Sequence, residues 1–78
     1  SQAAQRVRLA ETQADLAKQT LTAEEALQRA GRNLPKDVLE ARAEVTRTEA
    51  ELAKAKADWR LAQVELMRLQ GQLSVDPI

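Results

Sequence analysis

The side chains able to do chemistry in this sequence are carboxylates, one tryptophan and one methionine, because it holds no histidine and no cysteine. Acids stand close together at Glu24-Glu25 and at Glu49 with Glu51, and paired carboxylates are what acid–base catalysis and hard-metal binding use. On a helix, however, residues two apart diverge by about 200°, so Glu49 and Glu51 cannot converge on one proton or one ion. No apolar pocket surrounds these acids to raise a carboxyl pKa, and they read as a solvated face. The lack of His and Cys removes the common zinc spacings and thiol redox chemistry, and leaves the redox compartment open. There is no Gly-rich phosphate loop and no Ser, His and Asp set. The expectation is therefore no catalytic residue, no cofactor and no metal site. Trp59 reads as a bulky knob in a helix contact, with an anchor for a second protein as the sharper alternative. Met67 flanks the same contact, and a single Met is no copper motif.

The elements that carry these residues are marked by periodicity. Val38, Ala41, Val45, Thr48, Leu52, Ala55, Trp59, Ala62, Leu66, Leu69 and Leu73 follow one another at alternating steps of three and four. That is a heptad seam, set among the good helix formers Ala, Glu, Lys and Arg. It predicts a helix over about 35–71, on the order of 55 Å long at 1.5 Å per residue. The first segment repeats the design with Val7, Ala10, Ala14, Ala17 and Leu21 on one stripe. Leu9, Leu16, Ala23 and Ala30 form an adjacent one, so together they make a broad apolar arc. This predicts a helix over about 3–30. Thr22 and Glu25 match a capping box, which inside a continuing apolar pattern is read as uninterrupted helix.

Between the two segments, Gly31 can take the left-handed conformation that ends a helix, and Pro35 fits the first turn of the next. Asn33 or Leu34 then caps that helix, with Asp37 at its positive end. So short a turn, over 31–35, forces antiparallel neighbours. The predicted fold is all-α: a single antiparallel two-helix coiled-coil hairpin over 1–78, closed by a short tail that starts a further element. The turn gathers Gly31, Arg32, Asn33, Leu34, Pro35, Lys36, Asp37 and Glu40 at one end of the rod. These are the candidate docking residues, balanced against ordinary capping and solubility.

On the face of the second helix opposite the seam, Ala43, Ala50, Ala57 and Val64 recur seven apart. Ala is the best helix former, but an exposed β-branched Val gains nothing there. The pattern predicts a second packing face and hence assembly with further helices, as in a barrel or bundle of hairpins. Lys plus Arg equals Asp plus Glu at 12 each, for zero formal charge in 78 residues, so no field steers the chain to nucleic acid or acidic lipid. Apolar residues adjoin only in pairs, far short of the roughly 20 that a membrane-spanning helix needs. Nor is there a basic start with an apolar run to mark a signal peptide.

The run Gly31-Arg32-Asn33-Leu34-Pro35-Lys36-Asp37-Val38-Leu39-Glu40-Ala41, the Ala-rich heptads after it, and Leu66-Met67-Arg68-Leu69-Gln70-Gly71 resemble one helix pair of a TolC-type outer-membrane efflux channel. In that family a Gly, five variable residues and then Asp-Val-Leu-acid-Ala mark the periplasmic turn, and the next helix closes in a Leu-rich stretch ending in Gly. The resemblance implies a homo-oligomer, a trimer whose helices form a hollow periplasmic barrel, with hairpin tips that meet an adaptor's hairpins and constrict the pore. By position it puts Asp37 and Glu40 near an acidic aperture and Gly31 to Lys36 at the tip. The match covers nearly the whole chain but a fraction of such a channel, whose membrane strands lie elsewhere. Periplasmic adaptors, the membrane-fusion proteins of the same systems, contain similar Ala-rich hairpins between two lipoyl halves. Their tip has Arg and Leu before the turn and Ser after it. Here Leu27 and Arg29 stand in altered spacing and Pro35 occupies the Ser region. Either resemblance implies a periplasmic location in a parent attached to the outer or the inner membrane. A plain coiled-coil spacer with no transport role is the rival of another class.

Overall fold

A computed structural model describes residues 1–74. The side chains of Leu73 and Ser74, and residues 75–78 of the tail expected to begin a further element, lie outside the described residues. Two helices, α1 (Gln2–Arg29) and α2 (Pro35–Ser74), form an antiparallel hairpin, with no strand among the described residues. The rod is 74 Å long and 14 Å across in the other two directions.

Each end of the connection follows from a local rule. The Ser1 hydroxyl oxygen accepts from the Ala4 N–H at 3.2 Å and caps α1. At the other end Gly31 sits at φ 68°. From there the Arg32 N–H reaches the Leu27 carbonyl at 2.8 Å and the Gly31 N–H reaches the Gln28 carbonyl at 3.0 Å. This pair of bonds is the Schellman arrangement, which satisfies carbonyls the helix end would leave bare. Pro35 then opens α2, where its missing N–H costs nothing. The helix runs unbroken through Thr22, whose hydroxyl donates to the Lys18 carbonyl at 3.1 Å instead of capping a new turn.

One boundary departs from the sequence reading. α2 does not stop at Gly71 but continues to Ser74. A glycine ends a helix when it turns left-handed, and Gly31 is the described glycine that does so. Inside a helix Gly costs only about 1 kcal/mol relative to Ala, which its Leu- and Gln-rich surroundings absorb.

The core is a seam of small side chains. Ala10, Ala14 and Ala17 of α1 are buried, as are Val38, Ala41 and Thr48 of α2. Val7, Leu21, Val45, Leu52 and Ala55 are half-buried beside them. Such side chains let the two backbones approach closely. Thr48, the polar member, is 2% exposed, and its hydroxyl donates to the carbonyls of Glu44 at 2.8 Å and Val45 at 3.1 Å. The helix thus supplies its own partner for this buried hydroxyl, as a buried polar group requires.

The seam outruns its partner. α1 has 28 residues and α2 has 40, and with Lys18 facing Glu49 and Glu25 facing Arg42 the start of α1 lies near the height of Glu65, so the last stretch of α2, about 13 Å long, passes beyond α1. Leu66 and Leu69, expected in the packing seam, are exposed there, and Ala62, level with the first turn of α1, is exposed as well. Trp59 stands at the margin, 38% exposed. The α1 stripe of Leu9, Leu16, Ala23 and Ala30 is exposed as well, because a single neighbour covers only the width of one seam.

Candidate functional site: the hairpin tip and the outer faces

The tip is built by the cap of α1 and the start of α2. Asp37, in the third helical position of α2, turns its carboxylate back so that Oδ2 accepts from the Leu34 N–H at 2.9 Å. This is the second half of a capping box, with Leu34 in the cap position. Asn33 does not cap α2. Its Nδ2 donates to the Glu24 carbonyl at 2.9 Å, which ties the turn down onto α1. Its Oδ1 is shielded from water and meets no donor, so part of what that bond contributes is offset.

What remains outward at the tip is therefore narrower than the sequence suggested. Gly31, Asn33 and Asp37 shape the turn. Arg32, Leu34, Pro35, Lys36 and Glu40 are exposed, with Leu34 and the half-exposed Leu27 forming the apolar part of a shallow depression closed by Glu24 and Asp37. An apolar contact with cations at Arg32 and Lys36 and an acid at Glu40 suits docking to another protein.

The clustered acids separate as helical spacing requires. Glu25 faces Arg42 at 3.8 Å and Glu49 faces Lys18 at 3.5 Å, both across the two helices. Glu51 instead accepts from Arg47 at 2.8 Å on α2's own surface. Arg47 also engages Glu44, with Nε donating to Oε2 at 3.1 Å and a second bond through Nη2. That hydrogen bond from Arg47 holds the Glu44 carboxyl below its ordinary value, and Glu44 and Glu51 together raise the Arg47 guanidinium. The Glu44, Arg47, Glu51 spacing of three and four was present in the sequence as a signal for this triad. Among the described residues no group of three or more acids is placed to hold a metal ion, and no helix is long and apolar enough to cross a membrane.

Trp59 closes the paired part of the rod. It lines a groove of about 370 Å³ with Ala4, Val7, Arg8, Lys56 and Arg60. Its ring packs beside the first turns of α1 but keeps one side open.

The outer faces differ from the rest of the surface in composition. On α1 the face with Leu9 (59% exposed) and Leu16 (55% exposed) is flanked by Gln5, Thr12, Gln13, Gln19 and Thr20, with Arg6 and Glu24 at one edge. On α2, Ala43, Ala50 and Ala57 are exposed, as is Val64, and Thr46 and Ala53 run alongside. Charges are frequent on the remaining surface, Glu11, Asp15, Lys18 and Glu25 on α1 and Glu40, Glu44, Glu51 and Asp58 on α2, while Arg47 and Lys54 border the α2 stripe on its other side.

No protein-family model matches the chain, and no curated protein or solved structure shows significant similarity to it.

Proposed function

We propose that this hairpin is a wall element of a TolC-type helical conduit in a periplasmic efflux or secretion system, and that its tip docks onto the hairpins of a partner protein. The observation that carries the reading is the combination of a self-capped tip with a second stripe of exposed apolar residues on each helix, Leu9 and Leu16 on α1 and Ala43, Ala50, Ala57 and Val64 on α2. A spacer needs the seam alone. A conduit wall needs a neighbour on either side of every helix, and side chains at the end of the rod that are free of structural duty. Arg32, Leu34, Lys36 and Glu40 meet that second need. The resemblance of the run from Gly31 to Ala41, and of the Leu-rich close of α2, supports the same reading.

The tip is tested in the whole protein that carries the hairpin by the double substitution Arg32→Glu with Lys36→Glu. Neither side chain serves the cap. Loss of efflux with the oligomer intact is the expected result, and unchanged efflux would sink the assignment of the tip.

A plain structural spacer is the second reading, favoured by the engagement of Asp37 and Asn33 in the turn. It requires that Ala43→Glu with Ala50→Glu leave assembly of the parent unaffected. The conduit reading requires that assembly be lost.

A further inference from the structure

We propose that the groove beside Trp59 binds a small aromatic anion, a planar apolar body that carries one carboxylate or sulfonate. The groove lies along one side of the seam, apart from the tip and from both outer stripes, so the proposal is independent of the conduit reading.

Three observations meet there. The first is the apolar part of the groove. Trp59, the single aromatic residue of the chain, is 38% exposed and lines with Ala4 and Val7 a recess of about 370 Å³, a volume within the range of small-molecule sites. An indole left partly open offers a face on which a flat ring can stack.

The second is the rim. Arg8 of α1 and Lys56 and Arg60 of α2 line the same groove, and no acid does. Lys56 and Arg60 stand four apart on one helix face, a like-charge spacing that weakens a helix. The register that sets Lys18 against Glu49 brings Arg8 level with Trp59, so a third cation faces them from the other helix. Further along the same side of the seam the charges are paired, Lys18 with Glu49 and Arg42 with Glu25. Among the described residues no ion pair engages Arg8, Lys56 or Arg60. Glu11, one turn further along α1, does not line the groove and pairs with none of the three.

The third is the contrast across the seam. A groove of about 330 Å³ on the opposite side, at nearly the same height, holds Arg6 and Lys54 together with Glu51 and Asp58. Its charges balance within it, whereas the three cations at Trp59 have no acid among their groove neighbours. An inorganic anion would use this rim without the indole, and a neutral ring would use the indole without the rim. An aromatic anion uses both, with its acid group facing guanidinium donors from two helices.

The single Trp makes the test direct, because its emission reports on the groove alone. The 78-residue chain is titrated with anilinonaphthalene sulfonate, and saturable quenching of Trp59 is expected. Arg8→Gln with Arg60→Gln should weaken binding about tenfold. Arg6→Gln with Lys54→Gln, which removes the same charge from the opposite groove, should weaken it less than about twofold. Phenylnaphthylamine, the same rings without the sulfonate, should bind the natural chain and both variants alike, and inorganic phosphate should not displace the sulfonate dye. Circular dichroism checks that both variants keep their helicity. Absence of saturable quenching would overturn the proposal, as would equal weakening by the two double substitutions. Displacement by phosphate, or a loss for phenylnaphthylamine as large as that for the sulfonate, would overturn it too.

Discussion

The Asp37 carboxylate accepts the Leu34 N–H at 2.9 Å, so the acid expected at the tip caps the helix that carries it. Asp37→Ala should lower stability by about 1 kcal/mol, from loss of the cap and of a negative charge at the helix start. Glu40→Ala, one turn on and exposed, should change it by less than about 0.5 kcal/mol. Thermal melts followed by circular dichroism measure both, and equal effects would deny the cap its role.

The two glycines should respond in opposite senses to the same substitution. Gly31→Ala must place a Cβ at φ 68° and should destabilise by about 1 kcal/mol through backbone strain. Gly71→Ala meets nothing within 4 Å and should stabilise by up to about 1 kcal/mol, because Gly71 is helical. Urea titration of the pair distinguishes a turn glycine from a tolerated one.

The Glu44 carboxyl is held below its ordinary value near 4.5 by its bond to Arg47. Because its folded pKa is the lower one, the stabilisation it gives is present above the unfolded value. It is lost as pH falls through the folded value. Carbon-detected NMR titration should put Glu44 below the ordinary glutamate midpoint, and Arg47→Gln should bring it back. A midpoint that ignores Arg47→Gln would rule out this pairing in solution.

Thr48 tests whether the seam tolerates its hydroxyl or needs it. Both of its bonds stay within α2, so Thr48→Val, of the same shape, should alter stability by less than about 1 kcal/mol. Thr48→Asp would bury a charge and should cost about 3 kcal/mol or more. Chemical denaturation reads the difference.

The register is open to a charge swap. Lys18→Glu sets two carboxylates together and should cost under about 1 kcal/mol, and adding Glu49→Lys should recover it. A double variant no better than the single one would mean that these residues do not face each other.

Much of this architecture could be read directly from residue types. Gly31 and Pro35 bracket the turn because each has a backbone preference that acts locally, and the heptads from Val38 name the buried face because a helix rotates by a fixed angle per residue. Three things were not legible. Gly71 looks like a stop signal, but the same residue serves as stop or filler according to its φ, which composition does not encode. Asn33 reaches a carbonyl nine residues earlier, a contact that depends on how the turn folds back. Ala62, Leu66 and Leu69 carry the seam's periodicity, yet periodicity says which way a side chain faces and is silent on whether a neighbour stands there.

The core of this hairpin sets alanines on one side against Val38, Ala41 and Thr48 on the other, and methyl groups remove little apolar area from water. Heat capacity and denaturant sensitivity of unfolding both scale with that area. The isolated rod should therefore melt over a broad range, with a low heat-capacity increment and a shallow urea slope. Both values should steepen in any state where the leucine and alanine stripes are covered.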